Sequence, residues 1–266
     1  MSSNQEKIRV NYKDALMEDQ RFFHDKASQM ESFYTKKYIG EYISLEKTVI
    51  EIGCGTGHYG MYFAKKCNSY LGIDITPENI TLFNQKIMNS DLKNIRAQVG
   101  DATKLEGILD KSYDLVLILG PMYHLPPEER NLVIYESRRI CKEDGILIFA
   151  YINKVGAYLG GCFMAPEDYP SKTANDFVFN KGTDDVRPEV FFFTTPEEME
   201  MSVTNNNLTV IKNVGVDFSF CATAINAMSD KQLEDWMVLS NVMSQSPSCV
   251  GVSNHALLIC KNSKSV

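Results

Sequence analysis

Two hydrophobic periods alternate along this chain. Short apolar runs rich in β-branched residues, Thr48 to Ile52, Ser69 to Ile75, Ile95 to Val99, Tyr113 to Leu119 and Gly145 to Tyr151, read as strands. Leu115 to Leu119 is apolar without a break, which predicts a strand covered on both faces. Between these runs the apolar residues return every three or four positions: Tyr59, Tyr62 and Phe63; Ile80, Leu82, Phe83, Ile87 and Met88; Leu132, Val133, Tyr135 and Ile140. Strand and helix in alternation predict a mostly parallel sheet with helices on both faces.

The flanks differ from this core. Residues 1–46 carry Ala15, Leu16, Phe22, Phe23, Met30, Phe33, Tyr34, Tyr38, Ile39 and Tyr42 at helical steps, which predicts a helical cap ahead of the first strand. Within it, Glu18-Asp19-Gln20-Arg21 reads as a solvated face, from which Arg21 can reach a substrate carboxylate. Residues 151–190 mix glycines, prolines and aromatics and predict a lid inserted after the fifth strand of the 47–150 core. Residues 191–266 complete the sheet: a short strand at Phe191 to Phe193, a helix opened by Thr195-Pro196, a strand from Leu208 to Phe220, a helix through Trp236, and a last strand at Ala256 to Lys261. One domain accounts for the whole.

Several helix boundaries are written in the chain. Thr76-Pro77-Glu78 predicts a threonine cap with proline in the first turn, and Lys142-Glu143-Asp144-Gly145 predicts a helix stop on glycine. Trp236 is expected in the core; His255, beside the last strand, can face the pocket, with a structural role the favoured reading.

The candidate chemistry lies where the first strand breaks into glycines. Glu51-Ile52-Gly53-Cys54-Gly55-Thr56-Gly57-His58-Tyr59-Gly60 contains two overlapping spacings. Gly55, Gly57 and Gly60 with Asp74 fit the dinucleotide-binding turn of NAD(P)-dependent oxidoreductases. Glu51, Gly53, Gly55 and Gly57 fit an acidic-x-Gly-x-Gly-x-Gly pattern. Asp74, ending the second strand, suits the two hydroxyls of a ribose under either reading.

Composition narrows the classes. A chain of 266 residues with 44% hydrophobic and 23% charged residues supports a sizeable core. A net charge of −7 argues against a surface that tracks nucleic-acid phosphates. The cysteines at 54, 67, 141, 162, 221, 249 and 260 form no CxxC pair, so reduced thiols are expected and no metal site. No apolar run approaches the roughly 20 residues that span a bilayer. The polar start MSSNQEK does not read as a signal peptide. A cytoplasmic protein is expected.

The acidic-x-Gly-x-Gly-x-Gly segment, Asp74, Gly100-Asp101-Ala102 after the third strand, and Gly120-Pro121-Met122-Tyr123-His124-Leu125 after the fourth together resemble the class I S-adenosylmethionine (SAM) methyltransferases of small-molecule type. The likeness is closest over residues 47–150 and includes the helix–Gly–strand segment ending at Tyr151. It implies a Rossmann-like seven-stranded α/β sheet, mostly parallel, with an antiparallel C-terminal edge hairpin.

The resemblance also implies a cofactor, SAM, with S-adenosylhomocysteine (SAH) as product, and roles for residues. Gly53, Cys54, Gly55 and Gly57 admit the methionyl and ribose portions, and Glu51 orients the loop or meets the methionyl amine. Asp74 and Ile75 serve the ribose. Asp101 accepts from the adenine amino group while Ala102 presents its amide, and Leu119 ends the wall. Methyl transfer needs an acceptor held in line at about 3–3.5 Å, where alignment supplies roughly 7–11 kcal/mol. His124 is the expected general base, with Tyr123 beside the transfer site. The acidic surface and aromatic lid favour a small-molecule acceptor. A SAM-binding module without catalysis is the alternative from another class; an oxidoreductase leaves Glu51 and Asp101 without a purpose.

Overall fold

Three helices precede the first strand: α1 (Ser3–Tyr12), α2 (Ala15–Gln20) and α3 (Lys26–Gly40). Asp14 and Asp25 cap the second and third by accepting from the amides of Met17 and Ser28, as short acidic side chains do for unpaired helix-start donors. The structure, a computed structural model, describes residues 3–184 and 186–263. Met1 and Ser2, which open the segment read above as no signal peptide, lie outside them.

The core then alternates as its hydrophobic pattern requires. β1 (Thr48–Ile52), β2 (Ser69–Asp74), β3 (Ile95–Val99), β4 (Tyr113–Ile118) and β5 (Cys141–Ile152) are parallel, with crossovers that include α4 (His58–Phe63), α5 (Pro77–Met88) and α6 (Pro127–Ile140). Then come α7 (Lys154–Met164), α8 (Lys172–Asn175), α9 (Pro196–Asn205), β6 (Thr209–Gly215), α10 (Ala222–Ala227), α11 (Asp230–Gln245), α12 (Pro247–Val250) and β7 (His255–Lys261). The sheet order is β3-β2-β1-β4-β5-β7-β6, and β7 runs antiparallel to both neighbours. The seven-stranded, mostly parallel sheet and its closing antiparallel edge are therefore as expected.

Each face of the sheet carries its own core. Tyr34 and Tyr38 of α3, Phe63, Tyr70 and Phe83 pack on one side, with Trp236 of α11 partly buried against them. Ile134 of α6, Phe149, Met199 and Val203 of α9 pack on the other. Thr195 and Glu198 close a reciprocal capping box at the start of α9, and Ser229 and Gln232 do the same for α11.

The 151–190 segment is largely helical: α7, α8 and a π-helical turn at Asp176–Lys181 account for much of it. Three local expectations are corrected. Phe191 to Phe193 form no strand, only an isolated bridge from Phe192 to Thr183, because the amides of Phe192 and Phe193 go to the Tyr123 and Gly182 carbonyls of two loops. Thr76 occupies the cap of α5 without its side chain accepting from a helix amide; Asp74 Oδ1 accepts the Thr76 amide. Finally, α6 passes straight into β5, and Asp144, not Gly145, takes the left-handed backbone at φ +61°. Gly145 is needed for space, since a Cβ there would lie 2.7 Å from Cys141 Sγ and 2.9 Å from the Lys142 carbonyl.

Gly57 illustrates both demands on a glycine. Its φ is +84°, and a Cβ would lie 2.2 Å from the Phe83 ring. Gly107 has φ +76° with nothing within 4 Å of its Cβ position. Strain at each costs about 1–2 kcal/mol on substitution; overpacking against a fully buried ring adds about 1–3 kcal/mol at Gly57 alone. Urea denaturation should therefore show Gly57→Ala destabilised by more than Gly107→Ala by that second amount, and equal losses would refute the packing argument.

Candidate active site

The carboxyl ends of β1, β2 and β4 open into one cavity of about 500 Å³. This is where open α/β sheets place ligands, because the loops diverge there. Its floor is the glycine loop and its walls are Asp74, Ile75, Asp101, Ala102, Leu119 and Tyr123. The N-terminal helices line it through Tyr12, Arg21 and Phe22, and the stretch after β5 through Gly160, Arg187 and Phe191. Every residue singled out from the sequence as a site candidate lines this cavity except Gly57, which caps α4 behind it, and Gly60 within α4.

Backbone geometry holds the floor flat. The amides of Gly53 and Cys54 both donate to the Ile73 carbonyl, at 2.8 and 3.0 Å. Gly53, at φ +80°, lets the loop touch the turn after β4; a Cβ there would sit 2.6 Å from Pro121 Cδ. Asp74 Oδ2 accepts the Gly55 amide at 2.9 Å and Oδ1 the Thr76 amide at 2.8 Å. Burial raises the Asp74 pKa, and those two amides oppose the rise. Nearby, Asn79 lines the cavity with its Oδ1 buried and unpartnered. A buried acceptor without a donor is costly, and a ligand hydroxyl would supply one.

Asp101 makes an Asx turn, its Oδ1 accepting from Thr103 N at 2.8 Å and Thr103 Oγ1 at 2.7 Å. Its Oδ2 accepts from Gln5 Nε2 at 2.7 Å. An amide nitrogen from α1 thus occupies the acceptor that the sequence reading gives to an exocyclic amine. Gln5 was not visible as a site residue, since nothing local in α1 marks it.

The segment read as a solvated face turns inward instead. Arg21 Nε lies 3.3 Å from Glu18 Oε1, and its Nη1 lies 3.3 Å from Glu31 Oε1. The guanidinium also stacks over Phe22 at 4.0 Å. Glu18 Oε1 comes within 3.8 Å of the space a Cβ on Gly55 would fill, so the pair sits above the glycine loop. Asp19 is tied to Thr56 Oγ1 at 2.8 Å and to Lys86, which fastens α2 onto the core. The spacing of Glu18 and Arg21, one helical turn apart, was the available clue.

His124 does not have the free imidazole expected of a general base. Its Nδ1 donates to the Val190 carbonyl at 2.7 Å, so Nε2 is the acceptor and takes the Tyr12 hydroxyl at 2.9 Å. Burial lowers its pKa to about 4. Tyr123 packs edge-on to His124 at 4.7 Å and to His255 at 5.8 Å. His255 itself lines the cavity, the less favoured of the two expectations for it. Its Nδ1 donates to Asp217 Oδ2 at 2.8 Å and lies 3.8 Å from Glu31 Oε2.

Residues 49–145 match the family model described as a methyltransferase domain. Over that stretch, little more than a third of its length, the chain is similar to methyltransferase domains. A ubiquinone biosynthesis O-methyltransferase of Bartonella quintana is 23% identical over 175 residues, which is 64% of either chain; the match thus spans under two thirds of that relative. The magnesium protoporphyrin IX methyltransferase of Synechocystis, solved with SAH, superposes with a TM-score of 0.62 at 13% identity over 97% of this chain and 99% of its own. The geranyl diphosphate C-methyltransferase of Streptomyces coelicolor, also with SAH, gives 0.61 at 12% identity over 98% of both chains. At those identities the structures share the fold.

Glu51 is the most buried acid lining this cavity, 1% exposed. Burial pushes its pKa up to about 8 from an ordinary 4.5, despite the Tyr70 hydroxyl donating to Oε2 at 2.6 Å. The folded protein therefore keeps a proton that the unfolded chain releases, and stability falls as pH rises from about 4.5 to about 8. Glu51→Gln removes this titration while its amide oxygen still accepts from Tyr70. Thermal melts of the ligand-free protein should show the variant gaining on wild type between pH 5 and pH 8; a constant difference would show that Glu51 is ionised throughout.

Proposed function

We propose that this methyltransferase moves the methyl group of SAM onto a small-molecule acceptor by in-line displacement. The observation that carries the reading is the alignment of three recognition elements along one cavity. The Glu18–Arg21 pair stands over the glycine loop, Asp74 with the orphaned Asn79 oxygen comes next, and Asp101 lies beyond them.

Their chemistry matches the parts of SAM in sequence. Arg21 and Glu18 offer opposite charges to a zwitterionic amino-acid end. Gly53, Cys54 and Gly55 give it room, and Gly57 sets the turn beneath it. Asp74 and Asn79 accept from ribose hydroxyls, with Ile75 alongside. Asp101 accepts from the adenine amine once Gln5 turns aside, the Ala102 amide meets the ring, and Leu119 packs near the sulfur. SAM supplies an already activated methyl group. The protein's own task is to orient the acceptor and exclude water, which Tyr12, Tyr123 and the lid aromatics suit.

His124 serves as a positioning residue in this reading. Its two engaged nitrogens hold Tyr12 across the cavity mouth and tie the Val190 segment to the β4 loop. The acceptor is a small molecule because the cavity is enclosed by helices and lined by aromatic rings.

A thermal-shift titration with SAM, SAH, NAD⁺ and NADP⁺ tests the cofactor. A ligand at 100 times its dissociation constant adds about 2.7 kcal/mol. SAM and SAH should stabilise the protein and the two dinucleotides should not. Asp101→Asn keeps the oxygen that closes the Asx turn but loses the second acceptor, and should weaken both adenosyl ligands by about 1.5–3 kcal/mol. Stabilisation by NAD⁺ alone would overturn the reading.

A further inference from the structure

The cavity contains a proton acceptor that the reading above leaves unused. Of the two histidines that flank Tyr123, His124 has both nitrogens bonded to protein. His255 has only Nδ1 so committed, and its Nε2 has no hydrogen-bond partner among the described residues. Asp217 grips His255 twice: Oδ2 accepts from Nδ1 at 2.8 Å and Oδ1 from the His255 amide at 2.7 Å. Asp217 is itself buried, at 8% exposure. A carboxylate fixed by the same residue's backbone holds the ring in one tautomer, with the lone pair on Nε2.

We infer that His255, oriented by Asp217, is the general base of this cavity, and that the acceptor it deprotonates is a phenolic hydroxyl on a planar ring. The inference rests on the methyl-transfer reading and extends it to the acceptor.

The surrounding charges suit that task. Facing His255 are Asp217 after β6, Glu31 on α3, Arg21 after α2, and the neutral His124. Arg21 balances one acid and leaves the network negative, so the imidazolium formed by proton uptake is stabilised where it appears. Burial disfavours that cation, but Glu31 and Asp217 outweigh burial and raise the His255 pKa.

The acceptor class follows from which nucleophile needs such a base. A neutral amine attacks through a lone pair it already has, and a thiol of pKa about 8.5 is partly ionised at neutral pH. A phenol, at pKa about 10, is neither, and gains most from a base of raised pKa positioned on its proton. The rings of Tyr12, Phe22, Tyr59, Tyr123 and Phe191 line the same cavity, a fit for a flat aromatic body. In the step, the phenol O–H proton passes to His255 Nε2 as oxygen forms the O–CH₃ bond. The S–CH₃ bond breaks with its electron pair remaining on sulfur, and the proton later leaves to water.

The test has a spectroscopic and a kinetic part on the full chain. Nitrogen-detected NMR of the histidine rings should show His255 titrating above 6.5 with Nδ1 protonated in its neutral form, and Asp217→Asn should move that midpoint down. Turnover is followed as SAH formed from SAM with substituted phenols and catechols, alongside matched anilines. We expect SAH with the phenols and a rate that rises with pH and levels off at the His255 midpoint. We also expect roughly a hundredfold or greater loss of kcat in His255→Gln, with the SAM dissociation constant unchanged. Asp217→Asn should shift the rate midpoint down with the NMR midpoint, which covers the case that His255→Gln folds poorly. Phenol turnover within threefold of wild type in His255→Gln would overturn the base while leaving methyl transfer standing. Turnover of anilines alone, or of none of these probes by a protein that binds SAM, would overturn the acceptor class. Failure to bind SAM at all would remove the reading beneath both.

Discussion

Three absent side chains and one ring hold the site in place. A Cβ on Gly57, Gly60 or Gly72 would come within 2.2, 2.5 or 2.7 Å of the Phe83 ring, which is fully buried. The ring thus fills a socket built from the glycine loop, the first turn of α4 and the middle of β2. Close packing of this kind transmits position, because interiors have no slack to absorb a shift. Phe83 belongs to α5, whose start is fixed by Asp74 through the Thr76 amide. The loop that floors the cavity and the acid proposed for the ribose are therefore set by a single packed unit.

The second layer of the site is polar and comes from elsewhere in the chain. Arg21, Glu18 and Glu31 arrive from the N-terminal helices and the turn between them, His255 and Asp217 on the last hairpin, and Val190 at the end of the 151–190 segment. These groups meet only because α2 is fastened to the loop by Asp19 and because β7 inserts between β5 and β6. Buried charges at such a junction are sustainable only as a connected network. Arg21 bridges two carboxylates, and Asp217 is satisfied by the ring and amide of His255.

The two histidines beside Tyr123 show how environment assigns opposite properties to one residue type. His124 sits against a carbonyl and a phenol in a dry pocket, and its pKa falls to about 4. His255 faces two carboxylates, and its pKa rises. Only the second arrangement favours taking a proton.

Much of the architecture was legible in the chain. The apolar runs marked β1 to β5, the helical periods marked the crossovers, and Glu51 to Gly57, Asp74 and Asp101 marked the cavity floor. These are local properties: a buried parallel strand must be apolar along its length, and a loop that turns sharply against packed neighbours must be glycine. The Glu18–Arg21 pair, Gln5 on Asp101, and the contrast between His124 and His255 were decided by tertiary structure alone. Each depends on a partner far away in sequence, and a side chain's hydrogen bonds, burial and pKa are set by what surrounds it in space.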